Sequence, residues 1–298
     1  MNRPMPFRAV MLSRAVAAAA VLGGLAAAAT ARTLPLPTTS ADFHAGGSQP
    51  STTAYAPFQS FSNCQFCHAD YQLPPDYIEP DFRAPGRWAG SMHAHSARDP
   101  LFLAALAIAN QDAGAAGEFC FKCHAPSAWL EGRVVGQPTG SGLTPADFNN
   151  GVSCHLCHRA VNPVYTAGQS PAADLPILAA LASPPIGAGN TQIVVDPQDR
   201  RRAPNDLDAD WQNTSSMGWP GFHDYLQSPF HKSSTLCGTC HDVSNPVFSK
   251  QPNGDLTLNP VGAAHPTGNP HDMFPEQRTY SEWLNSSFAN GGVDMGGR

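Results

Sequence analysis

The cysteines of this chain occur in one short pattern that is repeated four times. All eight cysteines form pairs separated by two residues, and a histidine directly follows each pair. The copies, numbered motifs 1 to 4, are Cys64-Gln-Phe-Cys67-His68, Cys120-Phe-Lys-Cys123-His124, Cys154-His-Leu-Cys157-His158 and Cys237-Gly-Thr-Cys240-His241. The fold must therefore place four pairs of thiols, each beside an imidazole.

This spacing is that of the attachment motif for c-type haem. Residues i and i+3 lie on the same side of a helical turn, so both sulfur atoms can add to the two vinyl groups on one porphyrin edge. The following histidine reaches the iron from one face as the proximal ligand. The sequence predicts four covalently attached haem c groups. The attachment residues would be Cys64, Cys67, Cys120, Cys123, Cys154, Cys157, Cys237 and Cys240, and the proximal ligands His68, His124, His158 and His241.

Paired cysteines have two other common uses. Two zinc sites of four cysteines each would use all the thiols, but they would need no histidine after every pair. Disulfide bonds would suit an exported chain, and they too leave these histidines without a role. Haem attachment accounts for every cysteine and for the histidine beside each pair, so it is the favoured interpretation.

The N-terminal segment is typical of a secretory signal peptide. A positively charged start precedes an apolar run over residues 15–29, and the small residues Ala29-Thr30-Ala31 follow. A retained membrane anchor is the alternative, but the run is shorter than the roughly 20 residues that span a bilayer. We therefore predict a signal peptide over 1–31, no membrane span after its cleavage, and a periplasmic or extracellular location.

The charge balance limits the choice of partners. The chain has 17 lysines and arginines against 23 aspartates and glutamates, and its formal net charge is −6. Nucleic-acid binding requires clustered basic residues to neutralise phosphates, and no such stripe is present. An acidic surface instead favours partners with positively charged docking patches.

The second axial ligands must come from outside the motif positions. A haem iron has six positions, of which the porphyrin and the proximal histidine fill five. The distal candidates are His93, His95, His155, His223, His231 and His265, of which about four are expected to bind iron. Because His93 and His95 are two residues apart, at most one of them is expected to reach a given iron. We expect the methionines to pack against the rings rather than to bind iron.

The rest of the sequence predicts a loop-rich organisation. Residues 32–60 are predicted to form an extended N-terminal arm, and residues 61–298 a tetrahaem domain with a loop insertion over about 160–210. A helix is predicted over 99–113, and because it is apolar all round we expect it to be buried. The shortest interval between motifs separates motifs 2 and 3, which predicts that their haems are the closest pair.

A weak internal repeat precedes two of the motifs. Trp88-x-x-Ser91 and Tyr225-x-x-Ser228 each lie upstream of a motif, whereas Trp283-x-x-Ser286 is followed by none. The third copy predicts either a chain truncated at its C-terminus or a module that has lost its haem, and both alternatives stay open.

At these residues the chain resembles the multihaem cytochrome c family, and within it the branch that includes the tetrahaem cytochrome that accepts electrons from hydroxylamine oxidoreductase. The matching segments are 88–100, 120–126, 151–159, 228–243 and 274–286. The resemblance implies a mainly α fold with extensive coil and little β-structure, organised around closely packed c-type haems. It also implies distal histidines from outside the motifs.

Four haems on one chain of this size must lie close together, so electrons can pass between neighbouring irons while the protein sets ligation and burial. The predicted function is that of an exported electron carrier between a donor and an acceptor redox protein. Two alternatives stay open. One is a haem enzyme with one open iron site that acts on a small nitrogen or sulfur compound. The other is a subunit of a larger multihaem assembly or extracellular filament.

Overall fold

The computed structural model describes residues 36–44, 46–68, 84–113, 116–206 and 223–293, without the side chains of Phe66 and Cys67. The predicted signal peptide lies outside these residues. Within them the chain is mostly helix and coil with a few short strands, so the predicted fold class is confirmed. No helix in the described ranges combines the length and the apolar character that a membrane span requires.

The helices of the described residues are short. They are α1 (Phe61–His68), α2 (Ala84–Ala89), α3 (Met92–His95), α4 (Pro100–Asp112), α5 (Ala116–His124), α6 (Pro126–Leu130), α7 (Pro145–Asn150), α8 (Cys154–His158), α9 (Asp174–Ala179), α10 (Ser234–Gly238) and α11 (Thr279–Leu284). Short 3-10 helices cover Ser40–Phe43, Pro229–Lys232 and Pro270–Asp272.

The strands of the described residues form only two-stranded pairs. Antiparallel pairs join β1 (Ala160–Val161) to β2 (Val194–Val195), β5 (Val243–Asn245) to β8 (Phe274–Gln277), and β6 (Phe248–Lys250) to β7 (Leu256–Leu258). One parallel pair joins β3 (Arg200–Ala203) to β4 (Asp224–Gln227). Each pair joins two loop segments, and the pairs do not combine into a larger sheet within the described residues.

Helix α4 confirms the predicted helix over 99–113 but corrects its predicted burial. The Asp99 carboxylate accepts a hydrogen bond of 2.9 Å from the Leu101 amide, which caps the helix as its sequence predicts. Only Phe102 and Leu106, four residues apart on one face, are buried, whereas Leu101 is 79% exposed. The helix packs against the rest of the chain along one side only.

The main apolar core connects segments that flank motifs 2, 3 and 4. It contains Phe102, Leu106, Phe121, Ala128, Trp129, Leu130, Val134, Leu156, Ile193, Val195 and Phe230, all of them buried. Main-chain hydrogen bonds fasten the predicted N-terminal arm to this body, including 2.8 Å bonds from Ser48 N to Ile193 O and from Ala56 N to Pro197 O. The motifs thus surround one core.

The segment predicted as a loop insertion contains a buried ionic cluster. The Arg202 guanidinium donates hydrogen bonds of 2.7 Å to both Asp174 and Asp196, and all three side chains are fully buried. Arg200 also bonds to the Asp196 carboxylate, at 2.9 Å. A charge in the interior needs such partners, so this cluster fixes the β3 segment against the core.

Candidate haem sites

Each motif lies on a helical turn, as attachment of both thiols to one porphyrin edge requires. Helices α1 and α8 contain motifs 1 and 3, and α5 ends at His124 of motif 2. Motif 4 begins in α10 and continues for one more turn, in which His241 N donates a 3.0 Å hydrogen bond to Cys237 O. The seven cysteines with described side chains are free thiols. The described residues form no cluster of three or more potential metal ligands of the kind a zinc site would need.

Two motif imidazoles are held by main-chain carbonyls. His158 Nδ1 donates to Arg202 O at 2.8 Å, and His124 Nδ1 donates to Ser96 O at 3.0 Å. A carbonyl can only accept, so each ring carries its proton on Nδ1 and leaves the Nε2 lone pair available. Burial lowers the pKa of His124, which favours the neutral ring that a metal ion binds.

Three motif histidines each lie opposite a histidine from outside the motif positions. The ring centres are 6.5 Å apart for His68 and His223, 6.1 Å for His158 and His231, and 6.0 Å for His241 and His93. Two imidazoles bound on opposite sides of one metal ion, each with a metal–nitrogen distance of about 2 Å, have centres about 6 Å apart. The separations of all three pairs therefore fit a shared iron.

The non-motif members of these pairs are neutral. Burial lowers the pKa of His93 and His231, and it lowers the pKa of His223 to about 4. His231 Nε2 donates a 2.9 Å hydrogen bond to Cys157 O, so the ring carries its proton on Nε2. Its buried Nδ1 therefore has a lone pair, and this nitrogen has no hydrogen-bonding partner. A buried lone pair of this kind is costly unless it finds a partner, and a metal ion would satisfy it.

The fourth motif histidine has a different neighbour. The Phe102 ring lies parallel to the His124 ring, with centres 3.9 Å apart and an angle of 3° between the planes. The described residues include all twelve histidines of the chain, and no other imidazole of this set faces His124 as in the three pairs.

The other three distal candidates are not opposite a motif histidine. His155 is bonded on both nitrogens, because Nε2 lies 2.7 Å from an Asp199 oxygen and Nδ1 accepts from Gln59 N at 2.5 Å. His95 Nδ1 accepts from Arg98 Nε at 2.9 Å. His265 is buried, and its Nε2 has no hydrogen-bonding partner. The structure thus brings His93, and not His95, to a motif histidine.

The thiols of different motifs touch one another. Cys64 of motif 1 is hydrogen-bonded to Cys154 of motif 3, and Cys123 of motif 2 is hydrogen-bonded to Cys240 of motif 4. Each of these hydrogen bonds lowers the pKa of the first thiol. The fold, and not the sequence interval, decides which thiols meet, and the closeness of the haems of motifs 2 and 3 stays a prediction.

A loop over residues 189–192 connects motifs 2 and 4. Asn190 O accepts a 3.0 Å hydrogen bond from the buried Lys122 of motif 2, and Thr191 N donates a 2.7 Å bond to Thr239 O of motif 4. Asn190 and Thr191 have φ of +50° and +52°, and this conformation is rare for a β-branched residue such as Thr191. Such strain persists only where surrounding contacts impose it, and the sequence carried no signal for this loop beyond its glycines.

The weak sequence repeat corresponds to a shared turn. The Ser91 hydroxyl donates to Trp88 O at 2.7 Å, and the Ser286 hydroxyl donates to Trp283 O at 2.5 Å. The first turn presents His93 two residues after its serine, whereas the second has Phe288 in that position. The sequence repeat alone gave no indication that its first copy lies next to His93.

Comparisons with known proteins give one distant match. No protein-family model matches the chain, and no curated protein matches it. Among solved structures, the chain is similar to a penta-heme cytochrome c552 from Thermochromatium tepidum, at 21% identity and a TM-score of 0.36. The match covers 68% of this chain and 49% of the other, so the chain spans about half the length of that protein.

Proposed function

We propose that this chain is an exported tetrahaem c-type cytochrome that carries electrons between redox proteins. The observation that carries the proposal is the set of three facing histidine pairs, each with one motif histidine and ring centres 6.0–6.5 Å apart. An ordinary hydrophobic core gives no reason to place neutral imidazoles in matched pairs beside thiols. Haem attachment explains both the pairs and the cysteine spacing.

The residues present fit four haems. The eight motif cysteines would form the thioether bonds, and His68, His124, His158 and His241 would be the proximal ligands. His223, His231 and His93 would be the distal ligands of motifs 1, 3 and 4. When bound, each haem would supply an iron that accepts and releases one electron. Paired histidine ligation would favour lower potentials than ligation by histidine and methionine.

Contacts between motifs support a continuous route for electrons. Motif 1 meets motif 3 through Cys64 and Cys154, and motif 2 meets motif 4 through Cys123 and Cys240. Motif 3 is linked to the segment just before motif 4 by His231, whose Nε2 donates a 2.9 Å hydrogen bond to Cys157 O. These contacts favour the order 1, 3, 4, 2 for haem-to-haem transfer.

The partners follow from the charge of the chain. A net charge of −6 favours a donor and an acceptor with positively charged docking patches. The signal-like N-terminus supports export to the periplasm or beyond. The link to hydroxylamine oxidoreductase and assembly with other multihaem cytochromes stay predictions from the sequence.

Two measurements test the proposal. Mass spectrometry and the pyridine haemochrome assay on the exported holoprotein should count four covalent haems per chain. The variant His231→Met should convert one haem from paired histidine to histidine–methionine ligation and raise its potential within the range of about 0.8 V that axial ligands span.

His271→Gln is the matched control, because His271 is exposed and belongs to none of the three pairs. A chain without covalent haem would refute the proposal. An unchanged spectrum in His231→Met would refute the ligand assignment.

A further inference from the structure

His155 lies inside motif 3, but its ring is bonded to segments outside that motif. The side chain is fully buried. Nδ1 accepts a 2.5 Å hydrogen bond from Gln59 N, so the ring carries its proton on Nε2. Nε2 therefore donates to the Asp199 carboxylate, 2.7 Å away. A neutral imidazole with both nitrogens occupied has no lone pair left for iron, so its role is a different one.

The hydrogen bond from Gln59 fastens the approach to motif 1. Gln59 lies two residues before α1, which contains motif 1. Residues on either side of motif 3 hold the same approach. Asn150 Oδ1 accepts a 3.0 Å hydrogen bond from Phe61 N. Arg159 Nη1 donates a 2.8 Å hydrogen bond to Ala56 O. The approach to motif 1 is thus bonded to the motif 3 region at three points, and the imidazole makes the middle one.

The hydrogen bond to Asp199 leads instead to the histidine pair of motif 1. Arg201 donates hydrogen bonds of 3.0 and 3.2 Å to the Asp199 carboxylate, and its side chain is only 14% exposed. Burial lowers the pKa of His68 and His223, and the positive charge of Arg201 adds to both reductions. The Arg201 charge therefore acts on both imidazoles of this pair, and the His155–Asp199 bond holds its partner in place.

We propose that His155 is a positioning residue for electron transfer between the haems of motifs 1 and 3. It fixes the approach to motif 1 through Gln59, and it fixes the charge of Arg201 through Asp199. The inference rests on the proposed function, since it requires a haem at both motifs. In the transfer, one electron leaves a ferrous iron and reduces a ferric iron, and no bond forms or breaks. The rate therefore depends on the distance between the haems and on their relative potentials, which the protein controls.

Two substitutions of His155 separate its hydrogen bonds from its bulk. His155→Phe keeps an aromatic ring but removes both bonds, which leaves the Gln59 amide without its acceptor. His155→Gln keeps one acceptor and one donor. In His155→Phe we expect slower electron exchange between the two haems after flash reduction, and an altered magnetic coupling between their paramagnetic resonance signals in the oxidised holoprotein. His155→Gln should restore both properties.

The signals of the two haems can be assigned with ligand variants. His223→Met and His231→Met each change one axial ligand, at motif 1 and at motif 3 respectively, and so identify the haem that responds.

Arg201→Gln tests the electrostatic part of the inference. Arg201 lies outside all four motifs, so this variant decides the question if His155→Phe fails to bind four haems. Loss of the positive charge should destabilise the reduced iron of motif 1. The electron-sharing equilibrium should shift up to about tenfold toward motif 3, which is about 59 mV for a one-electron couple. Arg200→Gln is the matched control, because it removes the same charge from a residue bonded to Asp196, and it should shift the equilibrium far less.

The outcomes distinguish this inference from the proposed function. A His155→Phe holoprotein with four haems and with unchanged exchange rate and coupling would overturn the inference, even if that variant is less stable in urea. An equal shift in Arg201→Gln and Arg200→Gln would overturn the electrostatic part. Either result, with four haems in the unmodified protein, leaves the proposed function intact. An unmodified protein without covalent haem would instead overturn the proposed function.

Discussion

The ammonium group of Lys122 donates a 3.0 Å hydrogen bond to the main-chain carbonyl of Asn190 and so ties motif 2 to the strained loop that also contacts motif 4. Lys122 is fully buried, and no ion pair joins it to a carboxylate among the described residues. The Trp129 ring lies 5.1 Å from its Nζ. Burial lowers the Lys122 pKa to about 8, so the side chain is still largely charged at pH 7.

The charge of Lys122 should raise the potentials of the nearest haems, because a buried cation stabilises the electron that each iron accepts. A unit charge about 10 Å away contributes on the order of 1 kcal/mol at an effective dielectric constant near 20. That energy corresponds to tens of millivolts for a one-electron couple. We therefore expect Lys122→Met to lower the potential of at least one haem by tens of millivolts in a redox titration.

Lys250→Met is the control for this prediction, since Lys250 is exposed and its charge is screened by solvent. An equal shift in both variants would show that net charge, and not the buried site, is responsible.

Gly151 should be essential for the position of His93. Its φ is +46°, and a Cβ atom there would lie 2.2 Å from His93 O and 2.7 Å from the Ser96 hydroxyl. The adjacent Val152 N already donates a 2.9 Å hydrogen bond to His93 O. The variant Gly151→Ala should therefore destabilise the protein by about 2–4 kcal/mol and convert the haem of motif 4 from low-spin to high-spin. Denaturation curves and paramagnetic resonance would measure the two effects.

The control for Gly151→Ala is Gly168→Ala. Gly168 has φ of +76°, but a Cβ atom added there would meet no other atom of the described chain within 4 Å. The control should lower the free energy of unfolding by about 1 kcal/mol because of backbone strain. It should not change the spin state of any haem. Loss of a low-spin haem in both variants would contradict a specific effect on His93.

The hydroxyl of Ser91 should hold the turn that presents His93. Ser91→Ala removes the hydrogen bond to Trp88 O. We expect the free energy of unfolding to fall by about 1 kcal/mol and the paramagnetic resonance signal of the motif 4 haem to change. Ser286→Ala removes the same bond from the turn that has Phe288 in place of the ligand. It should therefore change stability but not the haem spectrum. A spectral change in Ser286→Ala alone would contradict this assignment.

The local features of the chain could be predicted from its sequence, because each depends on neighbouring residues. Cysteine spacing within a helical turn identified the motifs, and Asp99 before Pro100 identified the start of α4. The sequence also restricted the distal candidates to a few histidines. Among them, His93, His223 and His231 lie opposite motif histidines.

Contacts between residues that are far apart along the chain could not be predicted from the sequence. His93 meets His241 from a distant part of the chain, and nothing local to either residue indicates the pairing. The contact between motifs 2 and 4 depends on the loop at Asn190 and Thr191, whose left-handed conformations are imposed by tertiary hydrogen bonds. The burial of α4 was overestimated because an apolar helix can also expose a face such as that of Leu101.

The carboxylate of Asp147 should make stability depend on pH in the acid range. It accepts hydrogen bonds of 2.6 and 2.7 Å from Arg133, and two of 2.7 Å from the amide and hydroxyl of Thr144. Burial alone would raise the Asp147 pKa, but these hydrogen bonds outweigh it and hold the pKa below 3.8. The native state therefore binds this proton less readily than the unfolded state does.

A lowered carboxylate pKa gives the sign of the effect. The stabilisation from Asp147 is fully present above the unfolded pKa near 3.8 and is lost as pH falls through the lower native value. We expect Asp147→Asn to lower the free energy of unfolding by about 2 kcal/mol at pH 7 and by less toward pH 2. Urea denaturation curves at the two pH values would measure the difference. The exposed Asp255 provides the control, and Asp255→Asn should change stability little at either pH. A loss in Asp147→Asn that is the same at pH 7 and pH 2 would show that packing, and not the charge, accounts for the role of Asp147.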